Sequence, residues 1–248
     1  MRVIIVKDIK QLGKVSAGLV AAEMKKKPAF VLGLATGTSP IPLYQELIRL
    51  NKSKALDFST TITFNLDEYV GLRPTHDQSY RYFMNQQLFD HVNINKKNTH
   101  VPDGMARDIE ASCEEYECTI QDVGGIDYQV LGIGSNGHIG FNEPGTSLSS
   151  RTHMTRLTES TITDNARLFA RRQDVPTKAV TMGIGTILDV ERVVLVANGA
   201  HKADCIAKAI EGPITATVPA SALQLHPRVT FVVTQDAAAK LTLNWERA

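Results

Sequence analysis

Short apolar runs alternate with helix-like segments along the whole chain, and this alternation limits the fold more than any other feature. The runs cover residues 3–6, 30–34, 61–66, 128–133, 178–182, 192–196 and 229–234. They are rich in Val, Ile and Leu with little polar alternation, as strands are when both faces are covered. Between them apolar residues recur at helical spacing. Ile9, Leu12, Val15 and Leu19 form one stripe, and Leu43, Leu47 and Leu50 a second. Ile109, Cys113, Tyr116 and Ile120 form a third, which stops near Gly124-Gly125. Repeated strand-then-helix order predicts a mainly parallel, doubly wound α/β sheet. With 248 residues, no internal repeat and no linker, residues 1–248 read as one domain.

Composition narrows the function classes. The net charge is +1 with both signs mixed along the chain, which gives no basic patch for nucleic acid. An anionic substrate must then be held by a few local groups. The residues after Met1 are too short an apolar run for a signal peptide, and no stretch approaches the roughly 20 apolar residues of a membrane span. Cys113, Cys118 and Cys205 lack metal-knuckle spacing and read as reduced structural thiols. The expectation is a cytoplasmic protein with no metal, nucleic-acid or membrane partner.

Ligands of doubly wound sheets bind beyond the carboxyl ends of the strands, so the residues that follow each strand matter most. Run 30–34 leads into Thr36-Gly37-Thr38-Ser39 and Pro40, with Ser39 placed to cap a helix that starts at Pro40. Free N–H groups at such a helix start, beside small hydroxyls, form an anion site. An ordinary capped turn is the competing reading, and no Gly-Lys-Ser/Thr follows to make a Walker loop. Run 192–196 ends at Asn198-Gly199, and His201-Lys202 opens the next helix. A lysine there opposes the helix dipole and suggests a compensating anion, against the alternative of a surface lysine. Arg167 is a third cation candidate, or part of a solvated helix face.

Gly132, Gly134 and Gly137 spell G-x-G-x-x-G after a strand, but the chain continues through Gly140, Pro144 and Gly145. That context does not start the helix a dinucleotide site requires, so no nicotinamide cofactor is expected. The loop reads instead as a backbone that holds His138, a proton exchanger, with Glu143 as the carboxylate that tunes it. A tight loop with a structural histidine is the alternative. Asp67-Glu68 ends run 61–66. Strand alternation turns only one of the pair toward a cleft, where it is a candidate general base or a plain turn residue.

Taken together, Leu66-Asp67-Glu68-Tyr69-Val70-Gly71 and Gly132 to Pro144 resemble the glucosamine-6-phosphate deaminase family. Ser150-Arg151-Thr152 and the segment from Gly183 to Asp189 continue the resemblance, which covers nearly the whole chain in order. It implies a Rossmann-like three-layer sandwich, shared with ribose-5-phosphate isomerase and 6-phosphogluconolactonase. It implies conversion of glucosamine 6-phosphate and water to fructose 6-phosphate and ammonia, in amino-sugar catabolism, by a hydrolase acting on an amino sugar phosphate. It also implies roles: Asp67 as the base between C2 and C1, His138 for ring opening with Glu143 and Asn136, and Thr36 to Ser39, Arg167 and Lys202 for the phosphate. No cofactor is implied, and monomer or homo-oligomer stays open.

Many members carry aspartate where this chain has Asn136. An amide can still orient the ring but cannot share its charge, which shifts electrostatic tuning toward Glu143. Regulated members hold an acetylated sugar phosphate through basic residues after Ser-Arg-Thr and through a longer tail. Here His153 and Thr155 stand at those positions and the sequence stops at Ala248, so unregulated, hyperbolic kinetics are expected. A 6-phosphogluconolactonase needs no carboxylate base for an enolamine step, and the Asp67 cluster disfavours it. A sugar-phosphate sensor would carry a DNA-binding helix pair, whereas this chain opens on a strand.

Overall fold

The computed structural model describes every residue except 167, 168 and 170, and of residues 160, 164 and 165 it describes only the backbone. In chain order the strands are β1 (Arg2–Val6), β2 (Val31–Leu34), β3 (Ile62–Asn65), β4 (Asp67–Tyr69), β5 (Thr99–His100), β6 (Tyr128–Leu131), β7 (His153–Arg156), β8 (Lys178–Thr181), β9 (Val193–Ala197), β10 (Val229–Thr234) and β11 (Glu246–Arg247). The α-helices are α1 (Ile9–Met24), α2 (Ile41–Lys52), α3 (Tyr80–Gln87), α4 (Ile109–Asp122), α5 (Glu159–Ala166), α6 (Ile184–Leu188) and α7 (Ala203–Glu211).

Among the described residues, eight strands form one sheet in the order β11-β1-β10-β9-β6-β2-β3-β5, and every pairing in it is parallel. Side chains alternate between its two faces. Ile4, Val6, Leu32, Leu34, Val194 and Val196 meet Leu12 and Val20 of α1 and Leu43 and Leu47 of α2. Val3, Ile5, Val31, Phe64, Leu195 and Phe231 meet Tyr116 and Ile120 of α4 and Ile206 and Ile210 of α7. Both faces are thus apolar, and a parallel sheet can keep them so only between two helical layers. The result is the parallel sheet that the strand runs predict, within the Rossmann-like three-layer sandwich that the resemblance implies. Among the described residues no helix is long and apolar enough to cross a membrane.

Three local expectations change. Run 178–182 forms a strand, but outside the parallel sheet: β8 pairs antiparallel with β4 and β7 in a three-stranded sheet. Its Ala179 is buried near Tyr69, Phe141 and Leu157 while Met182 joins the core of the large sheet, and burial alone does not say which sheet covers a strand. Ser39 does not cap α2. That helix begins at Ile41, after Pro40, with no side-chain cap among the described residues. In α1 the buried face runs through Leu12, Ser16, Val20 and Met24, while Ile9 is exposed. Small residues on that face let α1 approach α2 closely, so the largest side chains do not mark the contact.

The small sheet grows from the carboxyl end of β3, inside the large one. Leu66 donates its N–H to Leu34 O of the parallel sheet at 3.0 Å and accepts the Met182 N–H at 2.6 Å. The chain passes through it from β3 straight into β4.

Two glycines of α1 test the α1–α2 contact with opposite signs. A Cβ on Gly13 would lie 2.5 Å from the backbone oxygen of Pro42, whereas one on Gly18 meets nothing within 4 Å among the described residues. Gly13→Ala is expected to destabilise by about 1–3 kcal/mol through overpacking. Gly18→Ala should stabilise by roughly 0.5–1 kcal/mol through helix propensity. Chemical denaturation of both variants checks the pair, and equal effects would remove the close helix contact from the account.

Candidate active site

From β2 the chain winds outward through β3 to β5, and from β6 it winds the other way through β9 to β10. The crevice beyond β2 and β6 is therefore the topological switch point, where loops diverge and leave room for a ligand. A cavity of about 270 Å³ lies there, lined by Thr36 to Ser39 after β2, Gly132 to Ser135 and His138 after β6, and Asp67, Tyr80, Thr161 and Lys202. A larger groove of about 920 Å³ runs between α1 and α2, but of the candidate site residues only Thr38 reaches it. The candidate residues gather at the switch point.

Asp67 is the first residue of β4, just beyond the Leu66 corner, and is 5% exposed. Its Oδ1 is buried without a hydrogen-bond partner among the described residues. Burial, then the neighbouring Glu68 charge, push its carboxyl up to about 8, against a hydrogen bond with Thr36. Glu68 points the other way, as strand alternation requires. It accepts the N–H groups of Tyr69, Tyr80 and Arg81 at 2.9, 2.8 and 3.0 Å. It thus fixes the start of α3, which sets Tyr80 at the cavity, stacked on Phe141 at 5.9 Å.

The glycine loop turns on itself. Gly134 donates to His138 O at 2.9 Å and Gly137 to Gly134 O at 3.0 Å. Among the described residues the next helix after it is α5, at Glu159, so the fingerprint's helix does not follow the third glycine. A Cβ on Gly134 would fall 2.2 Å from the His138 ring, so glycine here is what lets the imidazole seat. His138 Nδ1 lies 3.6 Å from Glu143 Oε2, within ion-pair range but long for a hydrogen bond.

Asn136 reaches Glu143 rather than the ring. Its Nδ2 donates to Glu143 Oε2 at 2.7 Å, and its Oδ1 accepts the His138 backbone N–H at 3.2 Å. Thr161 of α5 donates to the other oxygen, Oε1, at 2.7 Å. Burial pushes the Glu143 carboxyl up, but His138, Thr161 and Asn136 outweigh it and hold it at about 2. Two buried carboxyls, Asp67 lining the cavity and Glu143 behind His138 and Thr161, thus sit on opposite sides of their ordinary values.

At the other end of the cavity the loop Thr36, Gly37, Thr38 and Ser39 faces Lys202 across the switch point. Lys202 ends a short 3-10 turn (Ala200–Lys202) that follows Gly199, whose φ of 94° lies in the left-handed region. A polar hollow of about 480 Å³ adjoins, with Ser135, Asn198 and His201. Arg167 lies outside the described residues. Tyr80, Thr158 and Thr161 were not singled out in the sequence. Tyr80 reaches the cavity only through the Glu68 contact, which no local pattern announces. The Thr158-Glu159 step does carry a helix-start signal that could have drawn attention to the two threonines.

A family model described as glucosamine-6-phosphate isomerases/6-phosphogluconolactonase matches residues 9–232. A glucosamine-6-phosphate deaminase of Shewanella loihica is 54% identical over 97% of this chain and 90% of its own. One of Clostridium perfringens is 51% identical over 97% of this chain and 100% of its own. A solved structure of a monomeric glucosamine-6-phosphate deaminase superposes with TM-score 0.94 at 44% identity, over 97% of this chain and 100% of that one. A 6-phosphogluconolactonase of Thermotoga maritima, at TM-score 0.74 and 20% identity over 95% of this chain and 100% of its own, shares the fold. These findings overturn one expectation. The similar enzymes are named deaminases and the family is described by its isomerases, where a hydrolase was expected. By the extent of the family match and by identity to its members, this chain belongs to the glucosamine-6-phosphate isomerase/6-phosphogluconolactonase family.

Proposed function

We propose that this protein is a glucosamine-6-phosphate deaminase, which converts glucosamine 6-phosphate and water to fructose 6-phosphate and ammonia. The observation that carries the reading is the Asp67 carboxylate, buried, with Oδ1 unpartnered, at the mouth of a polar cavity. A carboxyl raised to about 8 is basic enough to take a carbon-bound proton once that proton is acidified. The deaminases more than half identical to this chain support the same reading.

The sugar 6-phosphate lies with its phosphate between Thr36 to Ser39 and Lys202, which supplies remote binding energy for positioning the reacting carbons. His138, with Nδ1 on the Glu143 side, presents its other ring nitrogen to the sugar. It takes the C1 hydroxyl proton and returns one to the ring oxygen, opening the pyranose to an aldehyde. Glu143, ionised across the working range, stabilises the imidazolium formed on the way. The aldehyde acidifies C2–H. Asp67 removes that proton to give an enolamine and delivers it to C1, leaving a ketimine. Water adds to the ketimine carbon and ammonia departs, giving the 2-ketose. Asn136 supports the step through Glu143.

Ammonia release from glucosamine 6-phosphate is the direct test, with 6-phosphogluconolactone as the alternative substrate. Turnover of the lactone without ammonia from the amino sugar would sink the reading.

Asp67→Asn should lose turnover by several orders of magnitude yet fold normally. The stability sign follows from the raised carboxyl. The unfolded chain ionises near 3.8 and the folded one near 8, so the parent loses stability as pH rises between them. The asparagine variant escapes that loss, and its Tm relative to the parent should climb over the same window. Normal ammonia production by the variant would remove Asp67 from the mechanism.

The base must be deprotonated to act, so kcat/KM of the parent should rise with pH and level off above about 8. A profile already flat from pH 5 would show that Asp67 is not the titrating base.

Lys202→Ala should raise KM for glucosamine 6-phosphate about ten- to a hundred-fold, the worth of a lost charge-assisted hydrogen bond. An unchanged KM would return Lys202 to the surface.

A further inference from the structure

Helix α5 begins with its first turn against Glu143. Thr158, just before the helix, accepts the Ile162 N–H on its carbonyl at 2.9 Å and the Thr161 N–H on its hydroxyl oxygen at 3.3 Å, as an N-cap residue does. The two threonine hydroxyls are 3.0 Å apart. Thr161 Oγ1 is 2.7 Å from Glu143 Oε1, and Thr158 Oγ1 is 3.4 Å from the same oxygen.

A hydroxyl has one proton and two lone pairs. The short contact to the carboxylate claims the Thr161 proton, because an ionised carboxylate can only accept. Thr158 Oγ1 lies within donating distance of both the Thr161 hydroxyl and the same carboxylate oxygen. The carboxylate also meets the first turn of α5, the positive end of its dipole.

Both Glu143 oxygens are thus fixed, Oε2 by Asn136 of the glycine loop and Oε1 by α5. Among the described residues His138 is the titratable group that faces this carboxylate. Asn136, Thr158 and Thr161 are uncharged. Thr161 also lines the cavity, so a sugar phosphate in it lies against the same turn that holds Glu143.

We infer that Thr161 is a positioning residue for Glu143, its hydroxyl fixing the carboxylate against His138 and tying the placement of α5 to it. The inference rests on the proposed ring-opening role of His138 and Glu143. Removing the hydroxyl leaves Oε1 short of its strongest partner and frees the carboxylate to rotate away from the imidazole.

The test compares Thr161→Val, which deletes the hydroxyl at nearly constant volume, with Thr161→Ser, which keeps it. Two readouts are taken on the whole protein: steady-state ammonia release from glucosamine 6-phosphate, and the Glu143 titration followed by carboxyl carbon NMR without substrate. For Thr161→Val, kcat should fall about tenfold or more with KM within about twofold, since a hydrogen bond to a charged group is lost. The Glu143 midpoint should move up by about one pH unit. Thr161→Ser should restore both. A parental kcat or an unmoved Glu143 midpoint in Thr161→Val overturns the inference, as does a serine variant as impaired as the valine one. A parent protein that releases no ammonia would sink the deaminase reading instead, and the titration would still decide the role of Thr161.

Discussion

Leu66 is hydrogen-bonded into two sheets at once, and the candidate site depends on that corner. Its N–H is held by Leu34 O in the parallel sheet and its carbonyl by the Met182 N–H beside the antiparallel one. A strand end in an ordinary doubly wound sheet runs out into a solvated loop. Here the chain is gripped on both sides of the turn, so Asp67 leaves the corner in a fixed direction and under cover. The same corner sends Glu68 to the start of α3, which brings Tyr80 to the cavity. One backbone geometry therefore sets a carboxylate, its environment and the aromatic wall beside it.

The site separates two carboxyls by environment alone. Asp67 is buried next to a like charge, and its proton is held to about 8. Glu143 is also buried, yet it collects an amide, a hydroxyl and an imidazole and stays ionised down to about 2. Groups pushed apart in this way suit opposite duties, one exchanging a proton near neutral pH and one remaining a fixed charge. Neither state is free. A carboxyl kept from ionising costs stability as pH rises, and a buried carboxylate needs nearly all its lone pairs met.

Asn136 fits this division. The amide does not touch the His138 ring. It spends its donor on Glu143 and its acceptor on the His138 backbone. A carboxylate in its place would lack that donor and would repel Glu143 unless one of the two took up a proton. The amide thus lets a single charge serve the imidazole.

Much of this was legible in the residues. Strand runs without polar alternation dictated a sheet covered on both faces, because such strands cannot face water. The order of strand, glycine loop, His138 and Glu143 marked a candidate site, and alternation at Asp67-Glu68 limited the cleft to one of the two. Local rules reached that far because they concern neighbours in the chain. They failed at Ser39, where helix α2 starts past Pro40, and at run 178–182, whose apolar residues suited either sheet equally. They were silent on Tyr80 and Thr161, which reach the cavity only after α3 and α5 dock on carboxylates of preceding segments, beyond the reach of local pattern. The sequence by itself determined the layers and marked the candidate groups. The tertiary structure decided which groups meet, because hydrogen bonding and desolvation act over a few ångströms of space, whatever the separation along the chain.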